Sequence, residues 1–160
     1  NPAERPRAIA AGKPASSEQT SCILCEVAKI PDNSEQNTHV YSGSHCAVVL
    51  NAFPYTNGHV MIVPYEHVDG LDQVTADARS EMFDLLYRTT LAIQGAYSPD
   101  GLNLGANIGQ GSGAGIPDHL HFHALPRWNS DTNFMTTVVG ARVIPEDLAL
   151  TLEKLRLNFK

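Results

Sequence analysis

Three histidines alternate with three apolar residues in a six-residue stretch of this chain. The histidines are His119, His121 and His123, and the apolar residues are Leu120, Phe122 and Ala124. On an extended strand, side chains at i, i+2 and i+4 share one face and lie about 6 to 7 Å apart, whereas a helix would point them in different directions. We therefore predict a strand over residues 119–125, with its apolar face in the core and its histidine face free for chemistry near neutral pH.

Bulk properties favour one globular domain and exclude two classes of partner. The chain has 160 residues and a mass of 17.3 kDa, with a net charge of −6 and a pI near 5.5. Its lysines and arginines are scattered, so we expect no nucleic-acid partner, and no apolar run approaches the roughly 20 residues that a membrane helix needs. Residues 1–21 are rich in Ala, Pro, Ser and charge and predict a mobile arm before a single domain over 22–160.

The cysteines favour a reducing compartment, and we expect a cytoplasmic protein. Their number is odd, and Cys22 and Cys25 have a spacing that is more typical of metal or redox chemistry than of a structural disulfide. Cys46 lies in an apolar run and is predicted to be a small buried residue.

The pattern of turns predicts three antiparallel strands in the first half of the domain. Residues 40–41 and 45–51 form two short strands around a turn at 42–44. The dipeptide Asn57-Gly58 is preferred where both turn residues have positive φ, and it leads into a strand over 59–63 that Pro64 ends.

The second half of the domain adds two helices and two strands. Thr75 can cap a helix over 75–96 whose apolar stripe covers the sheet. A strand over 101–107, a glycine-rich loop and the histidine strand follow, and Pro145 starts a final helix with two acidic residues in its first turn. This order predicts an α+β fold, with an antiparallel sheet and helices packed on one side.

The histidine alternation resembles the signature of the histidine triad family of nucleotide hydrolases and transferases. Residues 51–67, NAFPYTNGHVMIVPYEH, resemble the family's nucleotide pocket, and residues 107–115, NIGQGSGAG, resemble its phosphate loop. The resemblance runs from about Cys22 to Trp128, and it implies that the sheet continues across a two-fold homodimer. Many members have Gln four residues before the first triad histidine, where this chain has Gly115, a departure that concerns how the leaving group is recognised.

The resemblance implies a role for each histidine. His121 would attack the α-phosphate of a nucleotide and carry the nucleotide covalently, and His123 would give acid or electrostatic support to the leaving oxygen. An imidazole that donates one N–H to a backbone carbonyl presents its other nitrogen as a lone pair, so a nucleophilic histidine needs no separate base. Catalytic residues are therefore predicted at His119, His121 and His123, and substrate-binding residues at Asn51, His59, Asn107, Gln110, Ser112, Gly113 and Trp128.

Several of these assignments have a plainer alternative when each feature is taken alone. The glycine-rich loop could be a flexible turn, Asn51 could simply end a strand, and His59 could be a polar residue after a turn. Trp128 could stack on a base or fill the core.

Two cysteines and two histidines predict a zinc site beside the triad. A subset of the family, and its uridylyltransferase relatives, hold zinc with residues that match Cys22, Cys25, His67 and His119. A closed tetrahedral Cys₂His₂ set is typical of structural zinc, so His119 would serve structure more than catalysis. The alternative is two reduced thiols at the edge of the arm, and magnesium is expected to arrive with the substrate.

The residues after the triad indicate the substrate class. Residues 125–128, LPRW, resemble the diadenosine polyphosphate enzymes, including bacterial phosphorylases. We therefore expect cleavage of dinucleoside polyphosphates, such as diadenosine tri- or tetraphosphate, with the acceptor, water or phosphate, left open. The alternatives are a nucleoside phosphoramidate hydrolase, a nucleotide-binding regulatory module with negligible turnover, and a zinc protein that uses the histidine row as ligands.

Overall fold

The fold is an antiparallel sheet of five strands with helices against it, as predicted. The structure, a computed structural model, describes residues 22–30, 38–129, 131 and 146–160. In the order β1-β2-β3-β5-β4, with all neighbours antiparallel, the strands are β1 (His39–Ser42), β2 (Cys46–Leu50), β3 (Val60–Pro64), β4 (Gly101–Gly105) and β5 (Phe122–Arg127). The described helices are α1 (Ile23–Val27), α2 (Ala76–Tyr97) and α3 (Leu148–Asn158), with a 3₁₀ turn at Gln110–Ser112.

The central strands β2 and β3 are buried on both faces, which explains their unbroken apolar sequences. Helices α2 and α3 cover one face, where Val48 and Ile62 meet α2 residues such as Leu85. The other face packs Val49, Met61 and other strand residues against Leu24 of the short helix α1. The sheet therefore has a main core on one face and a smaller core, next to the histidine row, on the other.

Helix α2 matches its prediction closely. Thr75 caps it by accepting a hydrogen bond from the Ala78 amide at 3.3 Å. The helix stops at Ser98, which has φ of +46° and precedes Pro99. The predicted stripe is buried and consists of Met82, Leu85, Leu86, Thr89, Ala92 and Ile93. Within the described residues, no helix is both long and apolar enough to cross a lipid bilayer.

The histidine strand begins three residues later than predicted, at Phe122 instead of His119. Its partner strand β3 ends at Pro64, which has no N–H to donate, and the Pro64 carbonyl accepts from the His119 ring. The Leu120 amide donates instead to the Val68 carbonyl in the following loop, at 2.6 Å. The alternation itself persists, because Leu120 and Ala124 are buried in the main core and Phe122 packs against it.

Other details also differ from the prediction. Strand β4 ends at Gly105 instead of continuing to residue 107. At the turn before β3, only Gly58 has positive φ, so Asn57 does not adopt the left-handed conformation that the dipeptide suggested. Helix α3 begins at Leu148, because the Asp147 side chain accepts from the Ala149 amide at 2.8 Å and acts as the N-cap. The two acidic residues predicted in its first turn therefore precede the helix. Residue 145 and the predicted arm over 1–21 lie outside the described residues.

Candidate functional site

The four residues predicted to bind metal come together at the start of the histidine row. Their potential ligand atoms all lie within 4.8 Å of one another, and the residues are Cys22, Cys25, His67 and His119. Helix α1 carries the two thiols over the smaller core, and His67 follows β3. His119 Nδ1 lies 3.3 Å from Cys22 Sγ and 3.4 Å from Cys25 Sγ, and His67 Nδ1 lies 3.3 Å from Cys25 Sγ. Tetrahedral zinc with ordinary bond lengths separates neighbouring S and N ligands by about 3.6 Å, so this donor set fits zinc.

A hydrogen bond from the other ring nitrogen of His119 sets the tautomer that a metal ligand needs. Its Nε2–H donates to the Pro64 carbonyl at 3.0 Å, so Nδ1 faces the thiols as a lone pair. Burial lowers the pKa of His119, which favours this neutral form. The proline that shortens the histidine strand thus also orients the first histidine towards the cysteines.

His121 donates to the backbone from the other ring nitrogen than His119 does. Its Nδ1–H donates to the His119 carbonyl at 2.8 Å, which leaves Nε2 as the lone pair. The ring is only 5 % exposed, and it lies 4.8 Å from the His123 ring, centroid to centroid. The backbone hydrogen bond thus fixes the orientation of the ring, and the neutral form of His121 presents its lone pair at Nε2.

His123 and His59 form a chain of hydrogen bonds whose direction is set by the backbone. The Tyr55 amide donates to His59 Nδ1 at 3.2 Å, so His59 carries its proton on Nε2 and donates it to His123 Nδ1 at 3.0 Å. His123 consequently carries its own proton on Nε2. Burial, followed by repulsion from His123 and His121, lowers the pKa of His59 to about 4, and burial and then His121 lower that of His123.

These hydrogen bonds distinguish between the two roles, acid and electrostatic support, that the sequence left open for His123. If His123 were doubly protonated, its Nδ1–H would have to donate to His59 Nε2. A neutral His59 would then carry its proton on Nδ1, where two N–H groups, its own and that of the Tyr55 amide, would face each other. The arrangement therefore favours a neutral His123 that donates a hydrogen bond to a developing negative charge over one that transfers a full proton. Tyr55 had no role in the sequence interpretation, since a backbone amide leaves no signal in the residue type.

Asn51 lies beside these histidines. Its side-chain oxygen accepts from the Phe53 amide at 2.9 Å, which forms a tight turn, and its amide nitrogen lies 3.5 Å from each ring nitrogen of His59. The Thr56 hydroxyl donates to the Pro126 carbonyl at 3.3 Å and fastens the same loop to β5. Two predicted substrate-binding residues, Asn51 and His59, are thus in contact with each other, and His59 contacts His123 of the row.

The predicted phosphate loop is an exposed segment between β4 and β5. Gly109 and Gly113 have φ of +78° and +80°, a conformation that a side chain would strain, and they flank the 3₁₀ turn. The Ser112 hydroxyl donates to the Gly109 carbonyl at 2.6 Å, so it closes the turn. Asn107 and Gln110 are exposed beside it.

Trp128 lies after the far end of β5. Its ring meets Tyr97 of α2 edge-on, with centroids 6.4 Å apart, and it is partly buried. Asp131 holds this corner by accepting from the Trp128 amide at 3.2 Å and from the Arg127 guanidinium at 2.5 and 2.6 Å. Within one chain, the observed contact of Trp128 is therefore with helix α2.

Comparisons with known proteins agree with this geometry. A family model described as the HIT domain matches residues 33–130. The chain belongs to the HIT domain family. Its similarity to an AP-4-A phosphorylase of Mycobacterium tuberculosis (strain ATCC 25618 / H37Rv) is 35% identity over 133 residues, which cover 83% of this chain and 67% of the relative. The adenosine 5'-monophosphoramidase hnt1 of Schizosaccharomyces pombe is 24% identical over 88% of this chain and 99% of its own length.

Solved structures confirm the HIT fold. A histidine triad nucleotide-binding protein from Sulfolobus tokodaii has a TM-score of 0.69 and 24% identity, over 86% of this chain and 91% of its own. A Zn-bound histidine triad family protein from Mycobacterium smegmatis has the same TM-score and identity, over 87% and 93%. The family resemblance drawn from the histidine alternation is thus confirmed.

Proposed function

We propose that this HIT domain is an enzyme that cleaves dinucleoside polyphosphates through a covalent nucleotidyl intermediate on His121. The observation that carries the proposal is the pair of opposed tautomers, in which His121 offers a lone pair at Nε2 and His123 offers an N–H at Nε2. A nucleophile next to a hydrogen-bond donor is what displacement at a phosphate requires.

In the first step, His121 Nε2 forms a bond to the α-phosphorus, and the bond from that phosphorus to the bridging oxygen breaks. The leaving nucleotide departs as an anion, and the His123 Nε2–H stabilises the charge on its oxygen. His121 becomes positively charged while it carries the nucleotide, which strengthens its hydrogen bond to the His119 carbonyl. In the second step an oxygen of the acceptor forms a bond to the same phosphorus, and the P–N bond breaks to restore the lone pair. When the acceptor is water, its proton passes to the solvent.

The remaining predicted substrate-binding residues surround this centre in the proposal. Asn51 would hold the ribose of the nucleotide, and His59 would hold His123 in place beside the nucleophile. Backbone amides of the loop at 107–113, with Asn107, Gln110, Ser112 and Gly113, would hold the phosphates. Trp128 would contact a base from its position against Tyr97.

The choice of dinucleoside polyphosphates is supported by the 35% identity to an AP-4-A phosphorylase and by the LPRW segment after the triad. The similarity to a phosphoramidase supports the alternative, a nucleoside phosphoramidate hydrolase with the same intermediate. Product analysis with diadenosine tri- and tetraphosphate, each with and without phosphate, tests the choice. Phosphorolysis would add the acceptor phosphate to the released nucleotide, whereas hydrolysis would release a nucleoside monophosphate.

A regulatory nucleotide-binding module is the alternative from another class. Single-turnover labelling with a radioactive nucleotide separates the two, because the enzyme forms an acid-labile adduct quickly and then releases it. Saturable binding without an adduct would contradict the proposed enzyme.

We propose that Cys22, Cys25, His67 and His119 hold a structural zinc ion. When bound, zinc would tie helix α1 to the start of the histidine row, and all four positions of its tetrahedron would be filled by protein. Among the described residues this is the one group of three or more potential metal ligands, so we propose that magnesium arrives with the polyphosphate.

A two-fold homodimer is proposed from an exposed apolar surface. Phe83, Tyr87 and Leu91 repeat every four residues on α2, and they are 60%, 61% and 46% exposed. Strand β4 lies at one edge of the sheet, with no strand of the described residues on its outer side, and it carries the half-exposed Leu104. Sedimentation should show that Phe83→Glu with Tyr87→Glu gives monomers, whereas Leu157→Glu on the exposed side of α3 leaves the dimer unchanged. A monomeric wild type would contradict this assembly.

A further inference from the structure

Two large aromatic side chains lie exposed on the loop between β2 and β3, on either side of Pro54. Phe53 is 84% exposed and Tyr55 is 64% exposed. No hydrogen bond holds the Tyr55 hydroxyl within the described part of the chain. Exposed aromatic rings next to a catalytic centre are typical of ligand contact, because they lose unfavourable hydration when a flat apolar group covers them.

The position of Tyr55 in the row of rings indicates which part of a substrate it would meet. Its ring centroid lies 6.3 Å from that of His123 and 4.8 Å from that of His59. The nucleophile His121 lies near His123 too, at 4.8 Å, and in the proposed mechanism it holds the transferred nucleotide. His123 meets the leaving oxygen, so Tyr55 is placed beside the part of the substrate that departs.

The loop is held in place before any ligand binds. The Tyr55 amide donates to His59, the Phe53 amide donates to Asn51, and the proline between the two rings restricts the backbone. A preformed aromatic surface loses little conformational entropy on binding, which favours a contact that contributes to affinity.

The composition of the loop indicates the chemistry of the ligand. Residues 51–59, NAFPYTNGH, contain no lysine or arginine, so this surface does not offer a cation for a terminal phosphate. What it offers is the face of an aromatic ring. Every nucleobase can stack on such a face, and the contact tolerates any base.

We propose that Tyr55, with Phe53 beside it, stacks on the nucleobase of the leaving nucleotide. This inference rests on the proposed function and deepens it, since it makes the second nucleoside of a dinucleoside polyphosphate a recognised part of the substrate. Tyr55 is then a specificity residue that separates substrates with a second nucleoside from nucleoside polyphosphates that end in a bare phosphate.

The test compares two substrates that transfer the same nucleotide. Diadenosine tetraphosphate has a second adenosine in its leaving group, and adenosine 5'-tetraphosphate has none. The full chain is compared with Tyr55→Leu, which removes the ring and keeps the backbone amide, and with Tyr55→Phe, which keeps the ring. We expect Tyr55→Leu to lower kcat/KM for diadenosine tetraphosphate about tenfold and to change the value for adenosine tetraphosphate less than twofold. Tyr55→Phe should stay within about twofold on both.

Binding measurements keep the test decisive if turnover is absent. In a His121→Ala background, the dissociation constants of the two nucleotides are measured with and without Tyr55→Leu, and only that of diadenosine tetraphosphate should rise. An absence of turnover with this selective loss would contradict the proposed enzyme and support the stacking surface. An equal loss for both nucleotides, no loss for either, or a change of oligomeric state on Tyr55→Leu would overturn the stacking proposal.

Discussion

The first two histidines of the row use the same side chain in opposite ways. His119 donates from Nε2 to the Pro64 carbonyl and turns Nδ1 towards two thiols. Two residues later, His121 donates from Nδ1 to the His119 carbonyl and leaves Nε2 free. The carbonyl that each ring meets selects its tautomer. In the roles proposed above, that tautomer gives His119 a lone pair for the metal and His121 a lone pair for the nucleotide, although both histidines belong to one alternating pattern.

The largest effect on activity should come from the two proposed catalytic histidines, His121 and His123. We expect His121→Ala to lower the rate of diadenosine tetraphosphate cleavage by about a thousandfold or more, because it removes the nucleophile. His123→Ala should cost about a hundredfold, and less for substrates with better leaving groups. His45→Ala, an exposed histidine on the turn after β1, is the matched control and should leave the rate unchanged. A His121 variant that keeps more than about a hundredth of the activity would contradict a covalent route.

Substitutions in the proposed zinc cluster should instead lower the stability of the protein. We expect wild type to contain about one zinc per chain and Cys22→Ser to lose most of it. The same substitution should lower the free energy of unfolding by about 2 kcal/mol or more, and hence Tm by about 5 °C or more, because zinc-binding energy in closed sites is largely folding energy. Elemental analysis and thermal denaturation measure the two effects.

The buried Cys46 provides the control for that prediction. Its thiol lies in the main core, and burial raises its pKa to about 12, so Cys46→Ala removes a thiol without touching the cluster. It should keep its zinc. If a metal-free wild type proves equally stable and active, the zinc proposal is wrong, and His119 returns to the catalytic set.

The last prediction concerns the pH dependence of stability at His59. Its folded-state pKa of about 4 lies below the ordinary value of 6.5, so between these two pH values the unfolded chain takes up a proton that the folded chain does not. The free energy of unfolding should therefore fall as pH falls from 6.5 towards 4, by about 3 kcal/mol from this residue. Urea denaturation of wild type and His59→Gln at several pH values measures it, and parallel curves for the two proteins would contradict the assignment.

The sequence predicted the fold and much of the candidate site because both depend on the alternation of side chains. The strand alternation placed Leu120 and Ala124 in the core, and the family resemblance implied the four-residue cluster of Cys22, Cys25, His67 and His119 that the structure brings together. The start of the histidine strand was predicted wrongly, since it depends on the contact between His119 and the Pro64 carbonyl. Contacts between a side chain and a distant backbone group leave no pattern in one sequence.

The same limit applies to His59 and Tyr55. The family resemblance singled out His59, but the direction of its hydrogen bond to His123 follows from the Tyr55 amide, which every residue type except proline would supply. The exposure of the Tyr55 ring is likewise a property of the folded loop. Roles that follow from the backbone or from exposure therefore required the structure.

The proposed nucleotidyl intermediate on His121 is tested most directly by finding the adduct. Wild-type protein is mixed with diadenosine tetraphosphate, quenched within one turnover and analysed by intact mass and by mass spectrometry of peptides kept at alkaline pH. The covalent mechanism predicts a mass increase of one adenylyl group, located on the peptide that contains His121, and its absence in His121→Ala. Cleavage at an undiminished rate without any adduct, or an adduct on a residue other than His121, would contradict it.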